Sequence, residues 1–251
     1  MDTALITGAS SGIGLEFAKL MAQKGHNLVL VARDEVQLKK VQKELTESTD
    51  VEIRIMPKDL SKPNAAQELH TALKDHRIDI LVNNAGVGLL GDFFHDDLQT
   101  NQTMANLNMI ALMDMTHYFG NDMIRRKKGK ILNVGSIVSF FPGPHQPVYY
   151  ASKAFVRSLT RALAYNLRSS GVTATALHPG TTKTNFFKNA KASFFTQGAS
   201  PADVAALGYK AMMAGKIEVT HGFANKLLTN IFVRIVPYRI QTAIVARASK
   251  V

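Results

Sequence analysis

The stretch SIVSFFPGPHQPVYYASK holds three side chains with complementary acid–base chemistry: Ser136, Tyr149 and Lys153. Tyr149 and Lys153 are four residues apart, which on a helix sets one above the other on the same face. A cation so placed favours the phenolate and lowers a tyrosine pKa from its ordinary value of about 10. A hydroxyl arriving from a preceding strand end, here Ser136, can hold a substrate oxygen against that phenol. The group reads as a device for passing a proton to or from an oxygen. A Tyr-x-x-x-Lys pair also arises where a surface lysine merely lies beside a half-buried tyrosine, so the elements around it decide its meaning.

Those elements are legible upstream. Thr3–Thr7 is a short apolar strand that runs directly into Gly8-Ala9-Ser10-Ser11-Gly12-Ile13-Gly14. Ile13, Phe17, Leu20 and Met21 then mark one helical face as far as Gly25. Strand, glycine turn and helix in that order form the setting in which a dinucleotide pyrophosphate binds. The glycines let the backbone turn tightly and approach the phosphates, whose charge meets the helix N-terminus. The spacing is G-x-x-x-G-x-G rather than G-x-G-x-x-G. A second strand covers 27–31. At its end, where an acidic residue would hold the ribose 2′-hydroxyl of NAD, the chain has neutral Ala32 followed by Arg33. A guanidinium there suits the 2′-phosphate of NADP, which is the expected cofactor in preference to NAD. Asp34 reads as the N-cap of a helix over 35–47.

Val51, Ile53 and Ile55 alternate with Glu52 and Arg54 in a third strand ending at Pro57, with Asp59 and Leu60 following near the place for an adenine ring. A helix around 64–75 leads to a strand over 78–82 and then to Asn83-Asn84-Ala85-Gly86. That tetrapeptide is either a plain turn or a device whose amides tie neighbouring strand ends together beside a cofactor. A long helical pattern covers 99–126, and a strand over 130–134 ends at Gly135-Ser136. The helix carrying Tyr149 extends to about 170, and a further strand over 172–177 closes at His178-Pro179-Gly180. Alternation of this kind predicts an α/β fold, a Rossmann-type doubly wound parallel sheet with helices on both faces, in a single domain over 1–251.

Composition narrows the function classes. The 251 residues include no cysteine, which excludes disulfides, thiolate catalysis and cysteine-bound metal; no metal site is expected. No apolar run approaches the ~20 residues of a membrane span, and no leader is expected before the first strand, which points to the cytoplasm. The net charge of +11 is uneven: 11 basic against 15 acidic side chains to residue 100, then 19 against 4. Such a basic half suits nucleic acid, an anionic membrane surface or an anionic substrate. No nucleic-acid motif accompanies the charge, so no nucleic-acid partner is expected. The tightest cluster, Arg125-Arg126-Lys127-Lys128, stands where a helix should end, and cations stabilise a helix C-terminus.

Together these residues resemble the short-chain dehydrogenase/reductase family, in its compact single-domain branch, over nearly all of 3–220. The resemblance rests on Thr7-Gly8-Ala9-Ser10-Ser11-Gly12-Ile13-Gly14, Asn83-Asn84-Ala85-Gly86, Ser136 thirteen residues before Tyr149, Tyr149-x-x-x-Lys153, and Pro179-Gly180 with Thr184. It implies that Tyr149 is the general acid/base, that Lys153 lowers its pKa and holds the nicotinamide ribose, and that Ser136 bonds the substrate oxygen. Asn108 matches the helix asparagine that completes a proton relay; Asn106 competes, but Ala111 and Thr116 stand where the pattern expects them if Asn108 is chosen. The turn Gly8, Ser10, Ser11, Gly12, Ile13 and Gly14 would hold the pyrophosphate, Asp59 and Leu60 the adenine, and Thr184 the carboxamide. Asn84, Ala85, Gly86, Pro179 and Gly180 would border the cofactor. Tyr150 is excluded as the acid because it lies three from Lys153, and Gln146 occupies the position where enoyl-reductase relatives place their tyrosine. Gly135 and Ala111 depart slightly from the pattern. The implied function is NADP(H)-dependent interconversion of a ketone or aldehyde and its alcohol, in a homodimer or homotetramer; the alternative is a catalytically silent NADP-binding protein.

The segments after the strands should line a pocket: Val87, Leu89, Leu90 and Phe93; Ile137, Phe140, Phe141 and His145; and a lid over 186–200 bearing Phe186, Phe187, Phe194 and Phe195. Most are apolar, so a hydrophobic carbonyl or alcohol substrate is expected. A C-terminal extension over 223–251 carries an apolar stripe, Leu227, Leu228, Ile231, Phe232 and Ile235, beside Lys226 and Arg234. Packing on the domain, a subunit contact and an anionic membrane surface compete for it, with the first two favoured over the membrane.

Overall fold

Successive strand residues point to opposite faces, and here both faces are apolar, as a sheet covered by helices on each side requires. A computed structural model describes residues 1–186 and 198–248. Its sheet runs β3-β2-β1-β4-β5-β6-β7, with β1 (Thr3–Thr7), β2 (Asn27–Ala32), β3 (Ile53–Pro57), β4 (Ile80–Asn83), β5 (Gly129–Val134), β6 (Val172–His178) and β7 (Glu218–Thr220). Every pairing is parallel. The chain reverses direction across the sheet between β1 and β4, which opens a crevice at the strand C-termini, where ligands of open α/β sheets bind. The expected doubly wound single domain is what the chain forms.

On one face α1 (Gly12–Gln23), α2 (Glu35–Thr46) and a helix over Pro201–Met213 pack Phe17, Met21, Leu38 and Met212 on Ala4, Ile6, Leu28 and Leu30. On the other, α3 (Ala65–Ala72) and α5 (Leu112–Arg125) pack Leu69, Met115 and Phe119 on the alternate residues Leu5, Val29 and Val31. Asp34 caps α2 by accepting from the Gln37 N–H at 2.9 Å, as its position suggests.

Three departures from the expected elements bear on the site. The pattern over 99–126 divides into α4 (Leu98–Ala105), a π-helical turn (Asn106–Ala111) and α5, because a π turn keeps helical periodicity while widening the coil. β7 and the helix over 201–213 have no counterpart in the expected elements, β7 being only three residues long. The C-terminal stripe is interrupted: Phe223–Leu227 is α-helical, Leu228–Phe232 a π turn and Val233–Ile235 helical again. Pro237 then separates it from a final helix, Tyr238–Ala248, since proline restricts Val236 to an extended conformation. Among the described residues no helix is long and apolar enough to cross a membrane.

Candidate active site

At the crevice the β1 and β4 ends are sewn together. Thr7 Oγ1 accepts the N–H groups of Asn84 at 3.0 Å and Ala85 at 2.9 Å, while Asn84 Nδ2 donates to the carbonyls of Thr7 at 3.0 Å and Gly8 at 3.3 Å. The asparagines therefore tie strand ends rather than form a plain turn. Below them Asn83 Nδ2 donates to Thr116 Oγ1 and to Asn133 Oδ1, and Asn133 Nδ2 donates to Thr160 Oγ1, a buried polar chain from α5 across β4 and β5 to α6 (Pro147–Asn166).

The glycine turn between β1 and α1 has the shape of an anion cradle. Gly8 at φ +67° and Gly12 at φ +58° hold left-handed conformations that only glycine adopts freely. A Cβ at Gly14 would lie 2.2 Å from the Gly8 carbonyl oxygen, so close packing of helix on turn demands glycine there too. Ser11 enters α1 extended without its side chain capping the helix, which leaves first-turn amides for a bound anion. These residues fit a dinucleotide pyrophosphate. Arg33 is exposed at the end of β2, and its charge reaches Asp59. Burial pulls Asp59 upward, but hydrogen bonds from Ser61 and the Arg33 guanidinium hold it below the usual range.

Tyr149 and Lys153 sit in the first turns of α6, both buried. The tyrosine pKa departs from the expected direction: burial pushes Tyr149 up, and a hydrogen bond with Ser136 opposes this. Lys153 Nζ donates to the Val134 carbonyl at 3.0 Å and lies 5.8 Å from the centroid of the Tyr149 ring. Burial pushes Lys153 down to about 8. Ser136 is fixed by a capping box with Ser139: Ser136 Oγ accepts the Val138 N–H at 3.3 Å, and Ser139 Oγ accepts the Ser136 N–H at 3.3 Å.

Asn108, in the π turn, is buried and joins two elements. Its Nδ2 donates to the Val87 carbonyl at 2.8 Å and to Ser152 Oγ at 3.1 Å, and its Oδ1 accepts the Val87 N–H at 3.0 Å. Ser152 in turn donates to the Tyr149 carbonyl at 2.7 Å, so Asn108 braces the turn that carries Tyr149. Ser139 and Ser152 carry no signal in the sequence, since short-range serine spacing gives no sign of such partners.

One cavity of about 730 Å³ collects these groups. Gly8, Ser10, Ser11, Gly12, Ile13, Arg33, Asp59, Leu60, Asn84, Ala85, Gly86, Ser136, Tyr149, Lys153, Pro179, Gly180 and Thr184 all line it; Gly14 and Asn108 lie behind its wall. Of the expected pocket residues, Val87, Ile137, Phe141 and Phe186 line it, whereas Leu89, Leu90, Phe93, Phe140 and His145 do not. Phe140 instead packs on the buried His178 ring, 5.0 Å between centroids, beneath the Arg157 guanidinium. The lid expected over 186–200 falls, for 187–197, outside the described residues. The far wall comes from Leu228, Phe232, Ile244 and Val245. Leu228 and Phe232 belong to the stripe visible in sequence; that they face the cavity is fixed by a π turn the sequence does not announce.

Behind Ser136, the His178 ring and the Glu218 carboxylate form a polar buttress. His178 Nε2 is 3.5 Å and Arg157 Nε 3.2 Å from Glu218 Oε2. The His178 contact, then burial working against it, then Arg157 leave the Glu218 carboxyl at about 2. Burial pushes His178 down, with Glu218 opposing.

A parallel sheet with a switch-point cavity, a glycine cradle and a tyrosine–lysine helix defines a nucleotide-binding α/β protein. The sequence profile of the short chain dehydrogenase family matches residues 2–193, and the chain belongs to the short-chain dehydrogenase/reductase family. The very-long-chain 3-oxoacyl-CoA reductase of Anas platyrhynchos is 33% identical over 196 residues, 76% of this chain and 63% of the reductase, so the chain matches less than two thirds of that relative's length. The 17-beta-hydroxysteroid dehydrogenase type 3 of Rattus norvegicus is 30% identical over 239 residues, 94% of this chain and 77% of that protein. A short-chain dehydrogenase from Sphingobium yanoikuyae in complex with NADPH superimposes with a TM-score of 0.84 at 28% identity, covering 94% of this chain and 97% of that one.

Proposed function

We propose that this protein is an NADP(H)-dependent oxidoreductase that interconverts a hydrophobic ketone or aldehyde and its alcohol. The observation that carries the reading is that Tyr149, Ser136 and Lys153 open onto the same cavity as the glycine cradle. A nicotinamide cofactor, when bound, supplies or accepts the hydride. The chain's own residues manage the oxygen. Ser136 donates a hydrogen bond to the carbonyl oxygen and Tyr149 gives it a proton, so that charge developing on that oxygen is met within a buried site. The Lys153 ammonium stabilises the phenolate left behind, and Asn108 holds the Tyr149 turn in place through Ser152.

Arg33, with no carboxylate at position 32, supports NADP over NAD. Val138, Phe141, Phe186, Leu228 and Phe232 along the wall support an apolar substrate. The relatives' names point the same way, to an oxo group on a long acyl chain and a hydroxyl on a steroid. Apolar side chains exposed on α4–α6 support a homo-oligomer, and the cysteine-free chain suits the reducing cytoplasm.

The test is NADPH oxidation against a panel of apolar ketones and aldehydes, with NADH alongside. Turnover should prefer NADPH, fall at least ~10³-fold in Tyr149→Phe with cofactor binding retained, and lose its NADPH preference in Arg33→Ala. Tight NADPH binding without turnover on any carbonyl would instead favour a silent binding protein.

A further inference from the structure

The C-terminal segment has two faces with different chemistry. Leu228, Phe232, Ile244 and Val245 turn inward and close the cavity. Phe223, Leu227, Ile231 and Ile235, each four residues after the last, remain exposed; Phe223 is 84% and Ile235 73% accessible. In an unbroken α-helix of 3.6 residues per turn, four-residue steps over-rotate and the row would wind around the helix. The wider π turn over Leu228–Phe232 takes out part of that excess and holds the row together. Tyr238 follows at the bend, 67% accessible, with Ile240 exposed beyond it.

The charges among these residues have one sign. Lys226, Arg234, Arg239 and Arg247 are all exposed, and no aspartate or glutamate stands after Glu218. That sign decides between occupants. A two-fold contact places the same patch of one copy against itself, so a second copy would bring these cations together with no carboxylate to offset them. Packing on the domain is excluded for the exposed row. An anionic lipid surface supplies apolar depth for Phe223, Leu227, Ile231 and Ile235, and countercharge for the cations beside them. The aromatic, part-polar Tyr238 suits the headgroup level.

We infer that this face docks on the surface of an anionic membrane, lying in the interface without crossing it. One wall of the cavity then lies beside the bilayer, which gives a lipophilic ligand a short route between the two. The inference rests on the outer face alone and stands apart from the reading of the active site.

Co-sedimentation of the full chain with phosphatidylcholine vesicles, and with vesicles in which a third of the lipid is phosphatidylserine, tests it without any substrate. Binding should require phosphatidylserine, weaken as salt is raised, and fall by about fivefold for each cation removed in Lys226→Gln and Arg234→Gln. Unchanged thermal unfolding of those exposed variants shows that they fold; should either fail to fold, the comparison of the two vesicle types with the unaltered chain still decides. No binding to either vesicle, or equal binding to both, would overturn the inference. So would concentration-dependent self-association abolished by Ile235→Glu, which would give the face to a second copy.

Discussion

The proposed acid–base group carries its tension in two side chains. Burial raises Tyr149 and depresses Lys153 to about 8, so the cation that should steady a phenolate is itself easily discharged. As pH rises through that value the ammonium loses its proton, and the support for the phenolate goes with it. The kcat/KM for NADPH should therefore decline above pH about 8, and in Lys153→Arg, whose guanidinium stays charged, this limb should disappear whatever the residual rate; a pH–rate profile of both proteins checks it. The buttress behind Ser136 works through Glu218, whose carboxyl is held at about 2 against an ordinary 4.5. A depressed carboxyl contributes stability that is fully present above the unfolded value and is lost as pH falls through the folded one. Glu218→Gln removes that contribution, so its melting temperature should fall less steeply than the parent's between pH about 4.5 and about 2. Melts followed by circular dichroism across that window measure the difference.

At the scale of elements, the site is held by a buried polar chain rather than by apolar packing alone. Asn133 is fully buried and bonded on both sides, to Asn83 and Thr160. Asn133→Ala leaves a donor on Asn83 without its acceptor inside the sheet, a cost of about 1–3 kcal/mol, and should lower stability by that amount in urea titrations while the fold persists. Thr160→Val, which removes the hydroxyl that accepts from Asn133, should cost a comparable amount. The sheet and the Tyr149–Lys153 spacing are legible in sequence because they depend on local periodicity and on glycines that a turn requires. The strand runs at 3–7, 27–31 and 130–134 alternate or stay apolar, and Gly8 and Gly12 stand where φ must be positive. What is hidden depends on partners distant in the chain. Ser139 and Ser152 acquire their importance from Ser136 and Asn108, and a three-residue edge strand such as β7 is too short to show a period. The π turns at Asn106–Ala111 and Leu228–Phe232 look helical in any periodic reading, yet one places Asn108 and the other separates cavity wall from exposed row. The raised pKa of Tyr149 is hidden for the same reason, because burial comes from partners distant in the chain. Four-residue spacing sets Tyr149 and Lys153 on one face, but it does not show that the ammonium also meets the Val134 carbonyl at the end of β5.

The whole molecule divides its surface between tasks. The strand C-termini carry the cavity, and the C-terminal segment presents cations with exposed apolar residues. A third face, from α4 to α6, exposes Leu98, Met113 and Tyr165, with Leu98 64% and Tyr165 63% accessible. Unlike the C-terminal face it includes a carboxylate, Asp114, beside Arg161 and Arg168, so a copy of itself can bring these cations a partner of opposite charge. If this face joins subunits, its disruption should leave the other two untouched, because neither Met113 nor Tyr165 lines the cavity or belongs to the C-terminal row. The variant Met113→Glu with Tyr165→Glu would then sediment as a monomer under conditions in which the parent is a dimer or larger. Its NADPH affinity and its binding to phosphatidylserine vesicles should stay within about twofold of the parent, as expected for sites that share no partners. Sedimentation velocity on the same preparations used for cofactor and vesicle binding separates the three faces. Loss of NADPH binding together with assembly would show instead that the π turn holding Asn108, which runs directly into Leu112 and Met113, needs the second subunit to keep its shape.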